Sequence, residues 1–492
     1  MSTDPGTRLL RQTSIYLSGQ VLRVIAAVAQ VPLFAAYLAP AELGRLVTAQ
    51  AVMALARTFA QLGLPGGMFR VLAEHHARGD EAAARRDVTS TLLATTVLSV
   101  GAAVVIAVGA RLLEQWWLAP RWVPLADITA LAVVLGLPRD LADLTLRATN
   151  RAGIAAVFSS ATSVLTIAGW ALAIVVFEAG ALGMMQVTAA VSGAVSLAGL
   201  VVLAPFLRTD AFAWTALDRI GRIAVPTVPA ALIDWAQQFA DRFFIGAFVG
   251  LEGLGVYGLT QRAASALRDV VFTGIQSAWD PFTYTEHQRP DAAALYGRVT
   301  AYLAMVAMAA VVAASAGIGP LLDVIDDARV YAGAAPLVFF LAFAYWLSML
   351  RHMLLAPTAV KERTDRALPV WIASGVSAIV LSALLIPTFE EHGAAWAKVG
   401  TYAVGVLVAI PVGRGLWPID YQPRLFVAIV AGGVAAYAIA VTVPAGPPAL
   451  ALVVRPLLAV AVLAAALVAA RGLGATERAW IARQVRALGA AR

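Results

Sequence analysis

Between Ala231 and Gly250 the chain reads ALIDWAQQFADRFFIGAFVG, an apolar run interrupted by Asp234, Gln237, Gln238, Asp241 and Arg242. An ionised side chain near the centre of a bilayer costs about 2.5 to 3.5 kcal/mol on insertion scales, so groups kept there face a polar interior, an ion or a ligand. Three other apolar segments carry similar stripes at helical spacing: Tyr16, Gln20, Arg23 and Gln30; Gln50, Arg57 and Gln61; and Tyr257, Gln261 and Arg268. Residues three and four apart share one helix face, so each stripe lines one side of its helix. Arg23, Asp234 and Arg268 each lie roughly nine to fourteen residues from a helix end, about 14 to 20 Å, which is too deep for a snorkelling escape to the interface. These stripes place a water-filled cavity among the first, second, seventh and eighth helices. Arg242, Arg262 and Asp269 are equally well explained as interhelical ion pairs or snorkelling groups.

Other chemistries find no residues to carry them. The chain has no cysteine, which removes disulfides, thiolate metal sites and cysteine nucleophiles. Its two lysines, Lys361 and Lys398, do not end a G-x-x-x-x-G-K, so ATP-driven pumping by this polypeptide is not expected. The five histidines form no H-E-x-x-H, and the EHH at Glu74 to His76 reads as a solvated polar stretch of a loop, not as a metal site. We expect no catalytic constellation, no metal and no cofactor.

The elements that position the stripes can be read from composition. A chain of 492 residues that is 61% hydrophobic and 13% charged lies far from the soluble norm of roughly half apolar and a quarter charged. Its mean hydropathy is +0.80. This is an all-α polytopic membrane protein. Segments of about 20 apolar residues fall near 14–38, 43–64, 88–110, 124–146, 153–177, 181–204, 223–249, 254–279, 297–321, 332–355, 367–388, 393–413, 424–443 and 450–470, giving about fourteen transmembrane helices. No cleavable signal pattern precedes them. Arginine-rich loops, such as those with Arg70 to Arg86 and Lys361 to Arg366, alternate with acidic loops at Asp323 to Asp327 and Glu390 to Glu391. The positive-inside rule makes the basic set cytoplasmic, with both termini inside. The net charge of +7 is thereby explained without nucleic acid. EQWWLAPRW, from Glu114 to Trp122, reads as an interfacial aromatic belt. The longest loop, Pro65 to Asp87, leaves no room for a soluble catalytic domain. Arg139, Asp143 and Arg147, spaced i, i+4, i+8, read as an intrahelical ion-pair ladder. Lys398 and Arg455 read only as snorkelling side chains.

An internal repeat organises these helices. LGRLVTAQAVMALAR (43–57) aligns without a gap to LGVYGLTQRAASALR (254–268) at an offset of 211 residues, matching Gly44 with Gly255, Gln50 with Gln261 and Arg57 with Arg268. HARGD (76–80) aligns to HQRPD (287–291) at the same offset. Six helices per copy give both the same orientation, so the expected architecture is two six-helix lobes in a parallel pseudo-two-fold repeat plus two C-terminal helices. The corresponding partition is an N-lobe at 1–210, a C-lobe at 211–420, and the last two helices with a cytoplasmic tail at 421–492.

YLAPAELGRLVTAQAV, LGLPGGMFRVLAEHHARGD, LRATNRAGIAA, DRFFIGAFVGLEGLGVYGLTQRAAS and AWDPFTYTEH together resemble the polysaccharide or oligosaccharide flippases. These move undecaprenyl-diphosphate-linked sugars for O-antigen, capsule, exopolysaccharide or teichoic polymers, within the superfamily that also holds multidrug and toxin extruders and lipid II flippases. The resemblance implies a bacterial cytoplasmic-membrane transporter, not an enzyme, working by alternating access on a lipid-linked oligosaccharide, with membrane lipid around it and a polysaccharide polymerase as a partner. It also implies that cavity arginines hold the diphosphate, a role suited to the paired donors of a guanidinium. By position these are Arg23, Arg57 and Arg268, with Gln20, Gln50, Gln261 and Tyr257 beside them. Asp234 and Asp241 depart from a purely cationic cavity; they either couple H⁺ or Na⁺ or preorganise the arginines. Two other readings stand beside this one: an ion-coupled multidrug or toxin cation antiporter of the same superfamily, and a membrane polymerase or ligase on the same lipid-linked sugars.

Overall fold

The computed structural model describes residues 28–114, 122–208, 211–325, 330–419 and 421–469. Among the described residues there is helix and no strand. With no water in a hydrocarbon core to satisfy backbone N–H and C=O groups, helices that close their own hydrogen bonds are what such a sequence can form. The chain runs through α1 (Val28–Tyr37), α2 (Pro40–Gln61), α3 (Leu64–Arg78), α4 (Glu81–Glu114), α5 (Trp122–Ala148), α6 (Ala152–Val175), α7 (Gly180–Leu203), α8 (Trp214–Ala224) and α9 (Val228–Phe248). It continues with α10 (Leu251–Leu267), a π-helical turn at Arg268–Phe272, α11 (Thr273–Glu286), α12 (Ala292–Val324), α13 (Ala334–Leu354), α14 (Leu368–Leu416), α15 (Pro423–Thr442) and α16 (Pro448–Ala469). Eight of the described helical segments are long and apolar enough to cross a membrane. α14 unites two expected spans across a sharp break at Glu390, whose φ of 52° is a left-handed value.

The segment from Pro65 to Asp87 is not the loop expected of it. It folds as α3 and the first two turns of α4, because Met68, Val71, Leu72 and His75 fall on one buried face at helical spacing. Leu62 and Gly63, both at positive φ, make the tight corner that admits α3. A Cβ on Gly63 would also press on the Ala224 carbonyl at 2.8 Å.

The elements recur in register at the sequence offset: α2 and α10 begin at Pro40 and Leu251, α4 and α12 at Glu81 and Ala292, each pair 211 residues apart. The chain divides into two compact units, Met1–Leu259 with Ala378–Ala394, and Thr260–Ser377 with Ala395–Arg492. In the first unit the starts of α2 and α10 cross with their backbones in contact. A Cβ on Gly44 would run into the Leu251 carbonyl, and one on Gly255 into the Pro40 carbonyl. Gly44 and Gly255 are repeat mates, and so are Pro40 and Leu251. Such a reciprocal pair is the signature of a two-fold relation. Val47 and Gly258, also mates, touch each other directly, 2.7 Å from the Val47 Cγ2 to a Cβ built on the glycine. A second duplicated contact has exchanged its members. In the first copy Glu42 of α2 lies against Gly180 and accepts from the Ala181 N–H at 3.0 Å. In the second copy the glycine, Gly253, is on α10, and the glutamate, Glu391, comes from the segment that matches α7.

In the second unit the core lies around α12 and α13. α12 packs on α13, α15 and α16, and α13 buries Leu337, Leu341, Tyr345, Trp346 and Met349.

Candidate functional site

Arg268 opens the π-helical turn between α10 and α11. One such turn widens the helix and shifts the register of the residues after it, a device found often at functional sites. The guanidinium Nε donates to Asp269 Oδ1 at 2.9 Å, and its carbon sits 5.0 Å from the centre of the Tyr345 ring on α13. Its two terminal nitrogens have no protein hydrogen bond among the described residues. Arg268 lines a cavity of about 240 Å³ together with Asp269, Thr273 and Gln276 on one side and Tyr345 and Ser348 on the other, with Phe272 and Met349 as its apolar part. Both linings are helical stripes, 268–272–276 and 345–348–349, so two facing helices build the cavity without a loop.

Behind Tyr345 lies a stack of cations and rings. The Tyr345 hydroxyl accepts from Gln261 Nε2 at 3.3 Å, and its ring centre is 6.4 Å from that of Tyr402. Arg351, 5% exposed, lies over Tyr402 at 5.2 Å and over Trp371 at 4.4 Å, and its Nη1 donates to Ser374 Oγ at 3.0 Å. Gly405 makes room for it, since a Cβ there would come within 2.7 Å of Arg351 Cδ. Cation–π contacts of this kind are worth about 2 kcal/mol when desolvated. Lys398, read from sequence as a snorkelling side chain, is 4% exposed: it is buried.

The repeat mate of Arg268 is differently placed. Arg57 lies against Gly136 on α5, with its Nη1 3.9 Å from Asp140 Oδ2 and its Nε buried without a hydrogen-bond partner. Asp140 also accepts from Gln61 Nε2 at 3.3 Å and from Arg139 Nη2 at 2.7 Å. The ladder expected of Arg139, Asp143 and Arg147 is therefore only half formed: Arg147 pairs with Asp143 at 2.9 Å, whereas Arg139 turns to its neighbour Asp140. The reason is demand from α2, whose Arg57 and Gln61 draw Asp140 into a shared network.

On α9 the two carboxylates part ways. Asp241, 4% exposed, accepts from the Tyr257 hydroxyl of α10 and from the Arg242 backbone N–H at 3.0 Å. Asp234 is exposed and accepts from Gln238 Nε2 at 2.6 Å. Tyr257, 0% exposed, and Gln261, 6% exposed, spend their polar atoms on protein partners. Gln50 is half-buried in α2. Arg23 and Gln20 lie outside the described residues, as does Tyr16. Most of the EQWWLAPRW belt does too.

His75 is not solvated. It is 9% exposed, and Arg219 Nη1 of α8 lies 2.8 Å from its Nε2. A guanidinium only donates, so the ring proton belongs to Nδ1 and is given to Asp87 at 2.7 Å. Arg219 Nη2 donates in turn to Glu74 at 2.8 Å. The EHH stretch thus clips α8 to α3 and α4. Sequence reasoning also missed Gln276, Tyr345 and Ser348. Gln276 was reachable, two turns beyond Arg268 on the same face; Tyr345 and Ser348 needed the pairing of α13 with α11.

The family model described as "Polysaccharide biosynthesis protein" matches residues 9–283. No curated protein matches the chain. Among solved structures, lipid II flippase MurJ in an inward closed conformation is similar at a TM-score of 0.74 and 10% identity, over 94% of this chain and 99% of that one. An inward-facing multidrug resistance MATE family transporter of the MOP superfamily is similar at 0.64 and 17% identity, over 82% and 97%. An outward-facing MATE transporter is similar at 0.55 and 15% identity, over 84% and 98%. At these identities the likeness establishes the fold alone, a polytopic helical architecture. The family match spans more than half of the chain, and the chain belongs to the polysaccharide biosynthesis protein family.

Proposed function

We propose that this protein is a flippase that carries a polyprenyl-diphosphate-linked oligosaccharide across the bacterial cytoplasmic membrane for cell-surface polysaccharide synthesis, by alternating access and with both termini cytoplasmic. The observation that carries this reading is Arg268, whose guanidinium is held by Asp269 and the Tyr345 face and which lines a polar cavity. A fixed planar fork with two open donors suits a phosphate oxygen pair. Family membership and the flippase fold of MurJ support the same substrate class. The protein acts as a transporter without chemical turnover. Its energy comes from an ion gradient or from a downstream polymerase that consumes the flipped lipid. Of the two α9 carboxylates, Asp234 is the one for H⁺ or Na⁺, because Asp241 is committed to Tyr257. The partition into lobes at 1–210 and 211–420 belongs to the same proposal.

Reconstitution into proteoliposomes holding a fluorescent undecaprenyl-diphosphate oligosaccharide tests it. The wild-type protein should make the label accessible from the opposite face. Arg268→Lys, which keeps the charge and loses the fork, should impair this without loss of folded protein. Active wild-type transport of a cationic dye with no movement of the lipid would favour the antiporter reading instead, for which the exposed Asp234 and the MATE-like fold speak.

A further inference from the structure

The Arg268 cavity contains more than an anion holder needs. Gln276 and Ser348 both line it, and neither the amide of Gln276 nor the hydroxyl of Ser348 has a protein hydrogen bond among the described residues. Asp269 gives one carboxylate oxygen to Arg268 and keeps the other unbonded. Together these groups offer donors and acceptors at close quarters: an amide has both, a hydroxyl has both, and a carboxylate accepts. Polar groups left unpaired in a half-buried site cost stability unless a ligand or water satisfies them. The charge balance narrows the ligand. A second phosphate would meet Asp269 as a like charge, and an apolar group would strand Gln276 and Ser348. A ring bearing neighbouring hydroxyls fits both demands.

The feature belongs to one copy of the repeat. At the matching positions of the first copy stand Thr58 for Asp269, Pro65 for Gln276, Leu137 for Ser348 and Val134 for Tyr345. Where the first copy has mainly apolar residues, the second has a hydrogen-bonding wall. The wall ends one helical turn further along, where His352 Nε2 lies 2.8 Å from Asp280 Oδ1 and ties α13 to α11.

We infer that Gln276 and Ser348 are specificity-determining residues that read hydroxyl groups on the sugar directly joined to the diphosphate, while Arg268 takes the phosphate. This rests on the lipid-linked reading above. Selectivity for the glycan is thereby separated from affinity for the carrier: a hydrogen-bonding site rejects a ligand that lacks its hydroxyl partner because its own polar groups are then left unpaired.

The test uses the full-length protein in detergent and two kinds of probe: undecaprenyl diphosphate alone, and undecaprenyl diphosphate bearing one glucose, galactose or N-acetylglucosamine. Dissociation constants are measured for the wild type, Gln276→Leu, Ser348→Ala and Arg268→Gln. At least one glycosylated probe should bind the wild type more tightly than the bare lipid. Gln276→Leu and Ser348→Ala should each erase about three- to tenfold of that preference, the range for one or two ordinary hydrogen bonds, and leave bare-lipid binding unchanged. Arg268→Gln should weaken every probe. Equal losses on both kinds of probe, or no loss on either, would overturn the inference, as would a wild type that ranks all probes alike. If the wild type binds no undecaprenyl lipid, the flippase reading itself falls and takes the subsite with it. Should Gln276→Leu not fold, Gln276→Met keeps the length of the side chain and removes both donor and acceptor without adding charge, and the same split between probes is required of it.

Discussion

Arg57 and Arg268 occupy the same place in two copies of one sequence, yet the structure uses them differently. Arg57 is wedged on Gly136 and shares Asp140 with Arg139 and Gln61. Arg268 begins a π-helical turn, leans on a tyrosine and lines a cavity. The mate of Asp140 is Arg351, so the charge at that position of the repeat has changed sign between the copies. In one half the arginine shares a carboxylate with its neighbours, and in the other cations lie against aromatic rings. The same arginine stands in both copies, and its neighbours set what it touches.

The comparison can be broken first where the copies are alike. Gly44→Ala and Gly255→Ala each drive a methyl group into a backbone carbonyl that has no rotamer to yield. Each should destabilise by about 3 kcal/mol, the upper part of the overpacking range, and equally within error. Unequal losses in thermal unfolding would show that the two-fold crossing is not shared evenly. A difference between the copies should appear next, in transport. Arg268→Ala should lower flipping by about tenfold or more with little change in melting temperature, since a charge-assisted pair is worth about 1.5 to 3 kcal/mol. Arg57→Ala should do the reverse, lowering the melting temperature while leaving flipping close to the wild-type rate. Equal transport losses at both arginines would restore a symmetrical anion site. The smallest effect concerns the matching loops. Asp80 Oδ1 accepts from the Ala83 N–H at 3.0 Å, whereas Asp291 turns to Arg289 Nε at 3.0 Å. Asp80→Ala should cost about 1 kcal/mol as a lost helix cap. Asp291→Ala should leave the melting temperature unchanged. The Arg289 hydrogen bond holds the Asp291 carboxyl below its ordinary range, so this local contact persists at neutral pH and is lost as pH falls through that lowered value.

The long apolar spans were legible because twenty hydrophobic residues have few alternatives in lipid, and the repeat was legible because scarce residues such as Gln50 and Gln261 recur in step. α3 escaped because a search for apolar length passes over a 15-residue amphipathic helix, although Met68, Val71, Leu72 and His75 already had its period. The partner of Arg139 escaped for another reason. Spacing ranks Asp143 above Asp140, but Arg57 and Gln61 come from a helix some eighty residues away and settle the choice. Arg268 could be singled out by depth and duplication; its ring, its cavity and the stripe on α13 could not, because nothing in the local sequence says which helix will face it.

The exchanged glutamate and glycine set a rule for heredity within the chain. Each copy keeps one carboxylate and one glycine at its junction, but Glu42 supplies the acid from the early helix in the first copy and Glu391 supplies it from the late segment in the second. A recombinant that paired the early helix of one copy with the late segment of the other would inherit either two carboxylates competing for one niche or two glycines and a void. Old duplicates can therefore drift in residue while preserving parity at a contact, and that drift is what makes them inseparable: neither half can any longer stand in for its twin.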